Sequence, residues 1–291
     1  MKSTDTMKFI TERKYARADS FLKSMGFSHS HLRRAFLAGL VTVRDEVIFK
    51  STPLEAEETV AVAFADEKNN LTPAPMKQKI CYEDEDILVI DKGVVPSMPC
   101  KMYPDHTLAN ELCGYFQSKG IRRKVRMLGR LDKETTGLLV LAKNPYAYGV
   151  LEKDHTKNKT YLALVKGEVK EAGTVNAPIG VGERSLVRVV RDDGQEAVTH
   201  FMPLETGEVS LLEIKIDTGR THQIRCHMAH LGHPIRGDAL YGGGRGGVHL
   251  HVHEIFLIHP RTKAPMVFTS PMPEAWLKFF GGEDLSGGDL D

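Results

Sequence analysis

Three stretches of this sequence set charged side chains beside glycines and apolar runs, the arrangement an active-site loop needs: GRLDKETTGLLVLAK, TGRTHQIRCHMAHLGHPIRGDALYGG, and between them KTYLALVKG. The first places Arg130, Asp132, Lys133 and Glu134 directly before an apolar run, with Gly137 at the junction. A carboxylate held at a strand mouth beside cations stays ionised, because neighbouring positive charge favours its charged form. The same spacing also suits a surface salt-bridge turn, and spacing alone does not separate the two readings. Tyr161 in KTYLALVKG has, by alternation, the place of an aromatic facing a sheet core.

The histidines offer a rival chemistry. His227, His230 and His233 recur every third residue, and HLHVH puts His249, His251 and His253 on one face of a strand. A catalytic zinc site needs about three ligands converging from defined elements, usually with a carboxylate nearby. A histidine-metal hydrolase is therefore a third functional class to weigh, and the expectation is that no metal is held. The four cysteines, Cys81, Cys100, Cys113 and Cys226, form no CxxC pair, which argues against a disulfide framework or a cysteine-rich zinc site and for a reducing cytoplasm.

These residues need a scaffold, and the sequence describes two units. In residues 1–65, ADSFLKSMG and SHSHLRRAFLAG read as short helices stopped by Gly26 and Gly39, with Ser28 or Ser30 as an N-cap. LVTVRDEVIF reads as a hairpin around Arg44, Asp45 and Glu46, and TVAVAF as a strand. DEKNNLTPAPMKQK carries Pro73 and Pro75, lacks periodicity and reads as a linker over 66–79. In residues 80–291, ICYEDEDILVIDK suggests two strands, HTLANELCGYFQSKG a helix, GLLVLAK a buried strand and PYAYGVLEKDH a helix opened by Pro145. KTYLALVKGEV, SLVRVVR, AVTHFMPL and VSLLEIKI follow as strands, and THQIRCHMAHLG as a helix ending at Gly232. Strands do not alternate regularly with helices, so an α+β fold with a mixed, largely antiparallel central sheet is expected rather than a doubly wound one.

With 41% hydrophobic and 26% charged residues, the chain has enough apolar content to bury a core. No run reaches the ~20 apolar residues of a membrane span, and MKSTDTMKFITERKY lacks the apolar stretch of a signal peptide, so a soluble protein is expected. The net charge of +1 hides an uneven distribution. Ten Lys/Arg face five Asp/Glu in residues 1–50, and KGIRRKVR carries Lys119, Arg122, Arg123, Lys124 and Arg126 with no acid. Two basic regions on a near-neutral chain suit a phosphate-binding track, although each alone also reads as a solvated face.

The three stretches resemble the RluA-type pseudouridine synthases. Arg-Leu-Asp leading into Thr-Gly-Leu-Leu resembles that family's signature, TGRTHQIRCHMAHLGHPIRGDALYGG its second long motif, and LHVHEIFLIHP its closing strand. RADSFLKSMGFSHSHLRRAFLAGLVTVRDEVIF resembles an S4 RNA-binding domain. The resemblance covers nearly the whole chain outside the linker and the tail. It implies a pseudouridine synthase fold over 80–291, an S4-like domain over 1–65, and isomerisation of uridine in RNA without cofactor or metal. Asp132 becomes the essential nucleophilic carboxylate, attacking either the sugar C1′ or the base C6. Arg130 matches the arginine that fills the space left by the flipped uridine, a flip required because the glycosidic carbon is unreachable in a stack. Tyr161 matches the tyrosine that stacks on the flipped base and is a candidate for removing the C5 proton. Arg225 matches the charge partner of the aspartate.

Arg220, grouped with the RNA-binding residues, and Gln223 could equally stabilise their loop. Arg17, His29, His31, Arg33 and Arg34 are expected on the helical face meeting RNA phosphates, with Arg122 and Arg123 from the second basic cluster. The partner expected is large-subunit ribosomal RNA, transfer RNA being the other candidate, met by a cytoplasmic monomer. A non-catalytic RNA-binding factor in ribosome assembly is the competing class. The chain departs from the family in DKGVVPSMP, where Gly93 follows the lysine and proline comes only at Pro96, and at Gly129, where histidine is common. Both departures bear on how the uridine's neighbours are recognised, and neither touches Asp132.

Overall fold

Short apolar alternations in the first unit become strands, and the helices between them cover one sheet. The computed structural model describes residues 6–152, 158–183 and 186–280. Its first unit runs Thr6–Ile10 (β1), Ala18–Ser24 (α1), His29–Leu37 (α2), Val41–Val43 (β2), Glu46–Val47 (β3) and Thr59–Ala63 (β4). The four strands pair in the order β1-β4-β2-β3. Arg44 and Asp45 turn the β2-β3 hairpin at positive φ, 51° and 65°, the backbone hand that matches strand twist. Phe21, Leu22, Leu32 and Ala35 of the helices pack with Met7, Val60, Val62 and Phe64. β1 was not expected: TMKFI lies among polar residues, and only its pairing with β4 makes it a strand.

The segment 66–78 holds neither helix nor strand, yet it does not hang free. It lies along Leu108–Ser118 (α3): Ala74 N–H donates to Asn110 O at 3.0 Å, the Asn110 amide donates to Thr72 O at 2.7 Å, and Lys77 N–H donates to Glu111 Oε2 at 2.9 Å. Gly114 allows this close approach, since a Cβ there would stand 2.1 Å from Ala74 O.

The larger unit contains Lys79–Glu83 (β5), Ile87–Lys92 (β6), Thr136–Ala142 (β7), Pro145–Leu151 (α4), Lys159–Lys166 (β8), Gly173–Asn176 (β9), Ile179–Val181 (β10), Arg188–Val190 (β11), Val198–Glu205 (β12), Val209–Ile216 (β13), Gln223–His230 (α5), Leu250–Ile258 (β14) and Pro265–Thr269 (β15). A 3-10 helix, Glu274–Phe279, follows. Nine strands form one mixed sheet in the order β5-β6-β7-β14-β8-β13-β12-β9, with β15 on β14. The fold class is α+β and the sheet is largely antiparallel; among the described strands, β7 and β14 are the pair that runs parallel. β9, β10 and β15 were not foreseen, because each is short and lacks a clear alternation. Lys153, Asp154 and His155 of the expected α4 region, Ser185 of SLVRVVR and the acidic tail EDLSGGDLD lie outside the described residues.

β7 is nearly all apolar and buried, as a strand covered on both faces must be. Gly137 stands at its mouth with φ 98°, and a Cβ there would meet Val252 O at 2.3 Å. Glycine therefore permits the parallel crossing of β7 and β14, which fixes where the preceding loop, with Asp132, emerges. Tyr146 of α4 joins the core of the first unit, its ring tilted against Phe27 with centroids 4.6 Å apart and its hydroxyl donating to Met25 O at 3.0 Å. No helix among the described residues is long and apolar enough to cross a membrane.

Candidate active site

The loop that carries Asp132 is held from below by its main chain. Lys92, fully buried at the end of β6, donates through Nζ to the carbonyls of Gly93 (3.0 Å), Asp132 (3.0 Å), Lys133 (3.1 Å) and Thr135 (2.7 Å). Three ammonium protons are shared among these four oxygens. Burial pushes the Lys92 ammonium down to about 8, with Asp132 pulling the other way. Ser97 adds a hydroxyl bond to Leu131 O at 2.6 Å. Held on both flanks, the loop has little freedom to carry Asp132 elsewhere.

Above it, α5 supplies the cation. Arg225 is 5% exposed; its Nε and Nη2 donate to Asp238 at 2.6 and 2.9 Å, and its Nη1 lies 3.4 Å from Asp132 Oδ2. Asp238 is fully buried and also accepts from Leu240 N–H at 3.1 Å. His222 brings Nε2 to 3.7 Å from the same Oδ2. Among the described residues, Asp132 Oδ1 has no hydrogen-bond partner.

Tyr161, on β8, lines the same cleft with Arg130, Asp132, Thr135, Arg220, His222 and Arg225; the cleft is open and small, about 80 Å³. Its phenol is pushed up first by burial and then by Asp132, so at neutral pH it is protonated. That suits a stacking surface better than a proton acceptor. Arg130 lies exposed at the rim, with Nη2 3.3 Å from Thr221 Oγ1. Arg220 is exposed and donates to Glu196 O at 2.9 Å. Gln223, 3% exposed, is a loop tie: it accepts from Thr218 Oγ1 and Arg220 N–H and donates to Val198 O and Thr199 Oγ1.

The outer basic residues divide. His29, Arg33 and Arg34 are exposed on α2, and Arg17 is exposed beside Asp19, to which it donates at 2.9 Å. His31 is not on that face. It is 7% exposed between Phe27 and Phe64, with ring centroids 5.3 and 5.6 Å away, and burial lowers it to about 4. The cause is helical periodicity: His31, Leu32 and Ala35 share the core side of α2. Arg123 is also withdrawn. It is 5% exposed and donates to Phe64 O and Asp66 at 3.3 Å each, tying the second unit to the end of the first. Arg122 remains exposed, paired with Asp66. Arg34 and Lys124, from the two basic clusters, line one groove with Lys68, Asp66 and Glu67.

The histidines are used one at a time. His227 meets Thr199 Oγ1 and Ala177 O, His249 meets Arg236 O and Gly247 O, His251 lies between Thr136 and Ser270, His253 meets Ser270 O, and His233 meets Lys166 O. The grouping with metal-ligand spacing among the described residues is a different one, Asp84, Asp86 and His259. Its atoms are engaged by Arg261 and Asn144 and by the His259–Asp84 contact at 2.9 Å, an ion-pair network. His222, Asp238, Lys92 and Tyr241 were missed from sequence. His222 and Asp238 stood inside the quoted motif, whereas nothing local marks Lys92 as a partner of a loop some forty residues away.

Asp132, about a quarter exposed, thus meets the buried Arg225 at the mouth of a mixed sheet, with Tyr161 in the same open cleft. The chain belongs to the RNA pseudouridylate synthases, isomerases that convert uridine in RNA to pseudouridine: the RNA pseudouridylate synthase family model matches residues 86–230. A Bacillus subtilis RNA pseudouridine synthase, YjbO, is 36% identical over 261 residues, spanning 86% of this chain and 92% of its own. Ribosomal large subunit pseudouridine synthase D of Pseudomonas aeruginosa is 37% identical over 223 residues, 68% of this chain and 69% of its own. The structure of human RNA pseudouridylate synthase domain containing 1 covers 69% of this chain and 86% of its own at 26% identity, with a TM-score of 0.55.

Proposed function

We propose that this enzyme isomerises specific uridines of large-subunit ribosomal RNA, in the cytoplasm, with Asp132 as the nucleophile. The observation that carries the chemistry is the convergence of Asp132, Arg225 and Tyr161 in one cleft, with Arg225 Nη1 3.4 Å from Asp132 Oδ2. Both approaching nitrogens, from Arg225 and His222, address Oδ2, which leaves Oδ1 to attack the uridine. Two routes are open to it, addition at C1′ with departure of the uracil or addition at C6, and either forms a covalent intermediate. Tyr161 stacks on the extruded base. Arg130, at the rim, occupies the vacated place in the RNA, and Arg220 supports the backbone there. Residues 1–65 serve as an S4-like RNA-binding domain joined by 66–79 to a catalytic domain, 80–291. Its exposed Arg17, His29, Arg33 and Arg34, with Arg122, meet phosphates and position the RNA. The ribosomal assignment is supported by relatives named as ribosomal large subunit synthases in several bacteria.

The test is release of tritium from C5 of uridine-labelled RNA, paired with pseudouridine mapping in cells lacking the gene. Release by the wild type, none by Asp132→Ala, and loss of a pseudouridine in large-subunit RNA are expected. Equal release by Asp132→Ala would overturn the nucleophile, and a lost site in transfer RNA alone would overturn the substrate.

A further inference from the structure

His222 has an unusual backbone and a defined set of neighbours. It caps α5 with φ 56° and ψ 22°, in the left-handed region, which few residues other than glycine occupy and which histidine enters more readily than most. Its own side chain makes no cap bond. The four hydrogen bonds of Gln223 and the bond from Cys226 N–H to His222 O at 2.8 Å hold this conformation. The result is an imidazole aimed between Tyr241 and Asp132. Strain retained at one residue beside a reactive carboxylate calls for a role.

The hydrogen bonds around it decide which nitrogen carries the proton. The Tyr241 hydroxyl oxygen accepts from the Arg188 backbone N–H at 2.8 Å and lies 3.1 Å from His222 Nδ1. Among the described residues, His222 Nδ1 is the acceptor within reach of the Tyr241 proton. If Nδ1 carried hydrogen, the phenol oxygen would take two N–H donors and its own proton would have to turn to solvent, so the tautomer with hydrogen on Nε2 is the one that pairs the phenol proton within the protein. Nδ1 is thus the acceptor, and the neutral ring keeps its hydrogen on Nε2. Nε2 faces Asp132 Oδ2 at 3.7 Å, longer than a hydrogen bond, so a small shift of either side chain would bring the N–H onto that oxygen.

We propose that His222 is a positioning residue for Asp132: Tyr241 fixes its tautomer, and its Nε2–H closes onto Oδ2 when uridine fills the cleft, so that Oδ1 is presented for attack. This rests on the reading of Asp132 as nucleophile. The charged groups facing the ring are Asp132 from the loop before β7, Arg225 from α5, Asp238 from the loop after it and Arg188 from β11. Burial favours the neutral ring and lowers its titration, while Asp132 opposes this. Neutrality matters, because an imidazolium would bind the carboxylate more tightly and blunt its attack.

Two experiments test it. In ¹⁵N spectra of the full chain at pH 7.5, His222 is expected with a pyridine-like Nδ1 and a pyrrole-like Nε2. The opposite tautomer, or an imidazolium, would overturn the proposal without touching the role of Asp132. In tritium-release assays on a large-subunit ribosomal RNA transcript and on total RNA, His222→Ala is expected to lower kcat about 10–100-fold at unchanged KM, as loss of one bond to a charged group does. His222→Gln, which restores an N–H near the Nε2 position, should recover kcat to within about tenfold of wild type. Tyr241→Phe removes the bond that favours the neutral ring, so the acid limb of its kcat profile should move to higher pH, and His222→Gln should lack the histidine limb. An unchanged kcat in His222→Ala, or a glutamine variant no better than alanine, would overturn the positioning role. Should His222→Ala fail to fold, the wild-type spectra and the Tyr241→Phe profile still decide. Equal tritium release by Asp132→Ala would instead remove the reading beneath the proposal.

Discussion

Arg225 gives two guanidinium nitrogens to Asp238, at 2.6 and 2.9 Å, and holds the third 3.4 Å from Asp132. The tighter, fully buried partner fixes the planar fork, and the fork then presents one cation to the more exposed carboxylate. Asp238 thereby keeps Arg225 from collapsing onto Asp132. Asp238→Asn should preserve the shape but release Arg225 toward Asp132, lowering kcat about 10–100-fold. Asp238→Ala should cost about 3–5 kcal/mol, the range for breaking a buried pair by removing one partner. Tritium release and urea unfolding check the two; an alanine variant as stable as wild type would contradict the argument.

Lys92 acts on the same site from the other side, through main-chain oxygens only. Lys92→Met leaves several carbonyls without a donor and the Asp132 loop unheld. A stability loss of about 2–4 kcal/mol is expected, together with a fall in kcat of more than about 100-fold. Affinity for RNA should fall much less than kcat, because Arg33 and Arg34 of α2 are untouched and only Arg130 shares the loosened loop. Thermal unfolding and RNA-binding titration, run beside the activity assay, check this.

Lys159 is buried, 5% exposed, and burial alone pushes it down to about 8 from 10.5; among the described residues its Nζ finds only Leu128 O, at 3.4 Å. The folded pKa is depressed, so between pH 8 and 10.5 the unfolded chain binds more protons than the folded one. Stability should therefore rise with pH across that window. Lys92 contributes to the same window, being lowered to about 8 as well. Lys159→Met should raise stability at pH 7 by about 1–3 kcal/mol and reduce the rise. Urea unfolding at pH 7 and 9.5 measures both quantities, and a variant less stable at pH 7 would refute the assignment.

Arg33 and Arg34 are exposed on α2 while His31, two residues before Arg33, is buried. The double substitution Arg33→Ala, Arg34→Ala should weaken RNA binding and lower the slope of log affinity against log salt by about 1–2, with kcat at saturating RNA unchanged. His31→Ala should leave that slope alone and cost about 1–3 kcal/mol of stability through the space it opens between Phe27 and Phe64. Salt-dependent binding titrations and unfolding curves separate the two outcomes.

Local pattern determined a great deal about this protein. The buried run of β7, the hairpin at Arg44 and Asp45, the helix from Gln223 to His230 and the loop holding Asp132 were all legible, because each depends on periodicity, turn chemistry or a motif contained in one short segment. The order of the strands was not legible, nor was the parallel crossing at Gly137, since both depend on which surfaces bury each other over more than a hundred residues. The same limit explains His31 and Arg123, which read as basic surface until packing against Phe64 and its carbonyl enclosed them. It explains Lys92, whose partners are main-chain oxygens that no side-chain pattern announces. The sequence supplied Asp132; tertiary structure supplied its neighbours, because a carboxylate's reactivity depends on what surrounds it in space, and that set is assembled only when the sheet and α5 close around it.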